Sequence, residues 1–147
     1  MNKPFKATNA AGKPTPLVDG VEKVTGDAHY SADFYPPDAL TGVIYRSPYA
    51  HAEILELDVS EARALDGVVA IVTGDDCPHT YGILPIARNE YPIARGRVRY
   101  YGEPVAAIAA VDEKTARKAL SLIKMKVKEL PAYFTAEEAM KPDAMLL

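Results

Sequence analysis

The sequence predicts an α+β fold, a mixed but mostly antiparallel sheet carrying two helices. Segments with strand or helix character run strand, strand, helix, strand, long loop, strand, helix, strand, an order that mixes antiparallel pairs with helices. Twelve prolines among 147 residues keep those elements short and joined by turns. That length suits one domain with a real hydrophobic core and is short for two.

Residues 1–17 are polar, small or proline and show no periodicity, so they are expected to form an extended arm ahead of a domain over residues 18–147. Between Val18 and Phe34, Ala28-His29-Tyr30 is the one short strand expected. Tyr35-Pro36-Pro37-Asp38 is a turn, because Pro37 holds Pro36 in extended geometry. Val43, Ile44 and Tyr45 make Leu40–Arg46 a strand, Ser47-Pro48 interrupts it, and His51–Leu57 is the next. A short helix opens at Asp58–Glu61, capped by Ser60 or Asp58, and Gly67 suits the left-handed position after it. Val68–Val72 is a continuous β-branched run, the pattern of a strand buried on both faces.

Thr73-Gly74-Asp75-Asp76 ends that strand, and Cys77–Arg97 is irregular, with Pro78, Gly82, Pro85, Pro92 and Gly96. A loop this long in a compact domain is usually functional or covered by a partner. Val98–Tyr100 is a short strand, Gly102-Glu103-Pro104 a turn and Val105–Val111 a second buried strand. Asp112 caps the best helix, in which Ala116, Ala119, Leu120 and Ile123 form one apolar stripe while Lys114, Arg117 and Lys118 face water. Met125–Leu130 alternates as a strand with one wet face, and Thr135 caps a last helical turn. Met145-Leu146-Leu147 reads as a cut or an internal boundary.

A net charge of -3 gives no electrostatic reason to bind nucleic acid. No apolar stretch approaches the roughly 20 residues that span a membrane. The stretch Met1–Pro16 lacks the apolar core of a secretory signal. A lone cysteine, Cys77, excludes an internal disulfide framework and fits a reducing compartment, the cytoplasm. Nine tyrosines bring apolar area with a polar tip, suited to half-buried strands or interfaces.

The run Arg46-Ser47-Pro48-Tyr49-Ala50-His51-Ala52 gathers several chemically able side chains, yet none has the required companions. Ser47 precedes Pro48, where serine starts turns, and no Gly-x-Ser-x-Gly elbow exists. Of His29, His51, His79 and Cys77, only Cys77-Pro78-His79 is local, which is no zinc spacing, so no metal site is expected. Neither phosphate-binding glycine motif occurs. Asp75-Asp76 and Glu137-Glu138 sit beside turns, where acids cap or solvate. Glu103 or His51 remains the candidate residue for an independent acid–base enzyme, and Arg46 and His51 are candidates for interface contacts.

The same run, with Ile54, Asp58, Ala62, Gly67-Val68 and Thr73-Gly74-Asp75-Asp76, resembles the α/β-hammerhead domain that opens the molybdenum-binding large subunit of the xanthine oxidase family. Later blocks agree, namely Val98-Arg99-Tyr100-Tyr101-Gly102-Glu103-Pro104-Val105-Ala106 and Lys126-Val127-Lys128-Glu129-Leu130-Pro131-Ala132. Upstream, Asp19–Gly26 with Tyr30 and Ala32-Asp33 is similar to its opening segment. Within that family, Gly82–Ala87 and Asn89–Arg95 look most like the α subunits of 4-hydroxybenzoyl-CoA reductases, with aldehyde, xanthine and other N-heterocycle enzymes as alternatives. A free-standing assembly or binding module is the reading of a different class.

The resemblance implies a non-catalytic domain without its own cofactor or metal. Molybdopterin cytosine dinucleotide, iron–sulfur clusters and FAD would belong to the remaining molybdopterin-binding domain and to iron–sulfur and FAD subunits. An isolated domain could pair with a second copy as a homodimer. In such subunits the irregular loop approaches the channel to molybdenum, which makes Ile83, Leu84, Pro85 and Ile86 the substrate-channel candidates.

Overall fold

The computed structural model describes residues 12, 14, 16–86 and 88–145. It divides into two units, one ending at Pro37 and one beginning at Asp38. Of the arm expected over residues 1–17, only Gly12, Pro14, Pro16 and Leu17 are described. The first unit contains helix α1, Gly20–Thr25, closed by Gly26 at φ 83° and braced by an i,i+4 pair between Lys23 and Asp19 at 2.5 Å. No strand forms at Ala28–Tyr30. Asp33 instead accepts the Tyr30 N–H at 2.7 Å and winds Ser31–Asp33 into a single 3-10 turn.

Among the described residues the second unit holds six strands: β1 (Thr41–Arg46), β2 (Ala52–Asp58), β3 (Val68–Thr73), β4 (Arg97–Val98), β5 (Pro104–Ala110) and β6 (Lys124–Glu129). They form two three-stranded sheets, ordered β1-β5-β3 and β4-β2-β6, in which every pair is antiparallel. The α+β fold of mostly antiparallel strands with helices is as expected, with the strands divided between two sheets rather than one. Helix α2 (Ser60–Arg63) links β2 to β3, and α3 (Glu113–Leu122) links β5 to β6, so each crosses between the sheets. A final turn, α4 (Ala136–Ala139), starts at Thr135, whose hydroxyl accepts the Glu138 N–H.

Each sheet has its own core. Ala62, Ile71, Ala106, Ile108, Ala119 and Ile123 pack beneath α2 and α3. Ala52, Ala94, Val98 and Val105 form a second cluster, and Tyr45 and Leu57 touch both. Alanines at 116 and 119, fully buried on α3, let the helix backbone approach the sheet closely. Strand β5 is central and apolar on both faces, as its composition indicates. Strand β3 has a similar composition but lies at a sheet edge, so Val69 is 57% exposed and the expectation of burial on both faces fails there.

Candidate functional site

The Arg46–Ala52 run is the passage from one sheet to the other, since β1 and β2 belong to different sheets. Ser47 is buried, and its hydroxyl donates to the Tyr49 carbonyl at 2.9 Å and accepts the Tyr49 N–H at 3.0 Å. That closes the turn and leaves no serine–histidine pair for nucleophilic chemistry. Arg46 donates to the Gly102 carbonyl at 2.9 Å, and Ser47 exchanges backbone hydrogen bonds with Gly102 and Glu103. Glu103, also buried, accepts the Arg99 N–H and closes the turn before β5. Among the described residues no hydrogen bond joins Glu103 to His51.

His51 is 4% exposed and sits 2.6 Å from the Pro131 carbonyl through Nδ1. A carbonyl can only accept, so Nδ1 carries the proton and Nε2 presents a lone pair in the neutral ring. Among the described residues, Nε2 is buried and has no hydrogen-bond partner. Leaving a buried polar atom unpaired costs about 1–3 kcal/mol.

Around it, the start of β2, the segment after β4 and the segment after β6 converge, held by the Leu130 N–H on the His51 carbonyl at 3.0 Å. The result is a groove of about 420 Å³ whose walls include His51, Tyr100, Tyr101, Tyr133, Phe134 and Met145. A smaller hollow of about 250 Å³ lies where Gly74 meets Ala94–Gly96, without a buried titratable group. Motif reasoning did not find the groove. Its sequence signal is two aromatic pairs, Tyr100-Tyr101 and Tyr133-Phe134, each just beyond a strand that pairs with β2.

The channel candidates lie elsewhere, on the loop closed by reciprocal backbone bonds between Tyr81 and Glu90 at 2.9 and 3.1 Å. Ile83, Leu84, Pro85 and Ile86 point outward there, Ile83 at 95% and Ile86 at 92% exposure. Ala87, the end of that stretch, lies outside the described residues. Among the described residues no three His, Cys, Asp or Glu side chains gather where a metal ion could be held. With a single cysteine, Cys77, the chain also lacks the thiolates for an iron–sulfur cluster. The residues present do not fit such a centre, and no step through one is assigned to them.

Comparison with known proteins places this architecture. Residues 25–131 match the family described as aldehyde oxidase and xanthine dehydrogenase, a/b hammerhead domain. The chain belongs to that family. The hammerhead domain is 38% identical over 135 residues to the nicotinate dehydrogenase large molybdopterin subunit of Eubacterium barkeri, covering 90% of this chain and 31% of that one. It is 34% identical over 137 residues to the xanthine dehydrogenase molybdenum-binding subunit of Escherichia coli O157:H7, covering 86% and 18%. Among solved structures it is similar to reconstituted CO dehydrogenase from Oligotropha carboxidovorans, with a TM-score of 0.83, 31% identity and coverage of 90% and 17%. This hammerhead domain thus spans a third or less of the relatives it matches. Among the described residues no helix is long and apolar enough to cross a membrane.

Proposed function

We propose that this chain is the non-catalytic hammerhead part of a molybdenum-dependent oxidoreductase large subunit, contributing assembly contacts and one wall of the substrate channel. Family membership over residues 25–131, on a chain that spans only part of each relative, carries this reading. Molybdenum, carried as molybdopterin cytosine dinucleotide, would be held by the remaining molybdopterin-binding domain, and iron–sulfur clusters and FAD by further subunits, in the cytoplasm. The isolated chain is expected to turn nothing over.

For the substrate, the stretches Gly82–Ala87 and Asn89–Arg95 support a 4-hydroxybenzoyl-CoA reductase, which removes a phenolic hydroxyl reductively. An outward apolar loop at Ile83–Ile86 suits an aromatic acyl group, because an apolar wall buries a ring without needing polar partners. A second reading, oxidation of an N-heterocycle, is favoured by the likeness to the nicotinate and xanthine dehydrogenase subunits. Steady-state assay of the assembled enzyme separates them: 4-hydroxybenzoyl-CoA with a reductant against nicotinate or xanthine with an electron acceptor. In that enzyme Leu84→Trp is expected to raise KM for the preferred substrate several-fold by narrowing the channel. An unchanged KM means that the loop only packs.

A further inference from the structure

We propose that the His51 groove receives one aromatic side chain bearing a neutral hydrogen-bond donor, tyrosine or tryptophan, presented by another segment of polypeptide. His51 Nε2 is the acceptor. Its tautomer is set by the Pro131 carbonyl, so the free nitrogen needs a donor rather than an acceptor. Buried histidines in finished interiors have both nitrogens satisfied, and among the described residues this one lacks its second partner.

The walls select the rest of the group. Tyr100, Tyr101 and Phe134 are 56%, 74% and 81% exposed while facing a common hollow with Tyr133, which favours a ring stacked or set edge-on among rings. Arg99 lines the same groove, so a cationic donor such as lysine is repelled and a neutral O–H or N–H fits. Tyr101 and Phe134 are exposed rim side chains that belong to neither core, so either can be changed without disturbing the cores. The polypeptide source rests on the reading of the chain as part of a large subunit: the relatives carry two thirds or more of their length outside the matching region. The pairing at His51 does not depend on that reading.

The test is nitrogen NMR of the His51 ring in the isolated chain, titrated with N-acetyl-tyrosinamide, N-acetyl-tryptophanamide and N-acetyl-phenylalaninamide, and with free p-cresol. The two donor-bearing amides are expected to move the Nε2 resonance and to bind on the order of tenfold tighter than the phenylalanine amide. His51→Asn, which keeps an N–H donor toward Pro131 but is too short to place its remaining acceptor, Oδ1, at the Nε2 position, should erase that preference. Tyr101→Ala, at an exposed rim position, should weaken all the amides alike. Equal binding of the three amides, an unmoved Nε2 resonance, or a preference that survives in His51→Asn overturns the acceptor role. Binding of p-cresol without the tyrosine or tryptophan amide overturns the polypeptide source and makes the groove a small-molecule site. Neither failure touches the assignment to a large subunit, which the substrate assays above decide separately.

Discussion

At the scale of single residues, close packing and half-burial decide most of what can be changed. A Cβ built on Gly74 would stand 2.3 Å from the Ala94 carbonyl oxygen, a backbone atom that cannot swing aside. Gly74→Ala should therefore lower stability by roughly 1–3 kcal/mol or more, read from urea unfolding. Gly42→Ala, where nothing lies within 4 Å, should leave the midpoint nearly unchanged. Tyr45 makes a different argument. Burial, and secondarily the nearby Tyr49, push its phenol above the ordinary 10.0. A raised folded value means that its contribution is complete below about pH 10 and fades as pH climbs through the folded value. Tyr45→Phe should flatten the alkaline limb of a stability–pH curve, and an unaltered limb would contradict the assignment. In the sequence Tyr45 reads only as a strand residue. Contact with both clusters is a matter of where β1 passes, which no local pattern encodes.

At the scale of elements, α3 shows what local chemistry can specify. Asp112 accepts the Thr115 N–H at 2.7 Å, and that backbone bond first, then the Thr115 side chain, holds the carboxyl below its ordinary 3.8. A depressed folded value contributes stability that is present above the unfolded value and is lost as pH falls through the folded one. Asp112→Ala should speed hydrogen exchange along Glu113–Leu122 at neutral pH, with the difference from the parent shrinking in strong acid. Cap and stripe were both legible because they lie within one short segment. At α2 the cap was not legible: Val59 holds the N-cap position without a side-chain cap bond, and Asp58, one residue earlier, accepts the N–H and hydroxyl of Ser60. Helix α1 was not legible: Gly20 and two valines argue against a helix, and the Asp19–Lys23 pair and Gly26 stop outweigh them. Strand β3 misled for another reason. Val68–Val72 and Val105–Val111 are alike in composition, and only sheet order makes one an edge and the other the centre.

At the scale of the molecule, the two units ending and beginning at Pro37 and Asp38 imply separable stability. A chain starting at Asp38 should unfold in one cooperative transition with the midpoint of the full chain, since both clusters draw wholly on later residues. A broad transition, or a midpoint lowered by several degrees, would show that residues 1–37 support the cores. The Cys77–Arg97 stretch was legible as a loop because its prolines and glycines exclude regular structure, and Ile83 and Ile86 stand exposed on it. The groove was not, because its walls come from segments about 30 to 80 residues apart that meet only when β4 and β6 flank β2.

By itself the sequence determined the elements with strong local signals and the family resemblance. Periodicity, caps and turn residues act over a few positions, so they can be read without knowing the fold. Among the described residues, tertiary structure alone decided that there are two sheets, which strand is central, and that His51 is tied through one nitrogen and without a hydrogen-bond partner at the other. Those outcomes depend on long-range strand pairing, whose physical content is which distant segments exclude water together, and no local pattern records that.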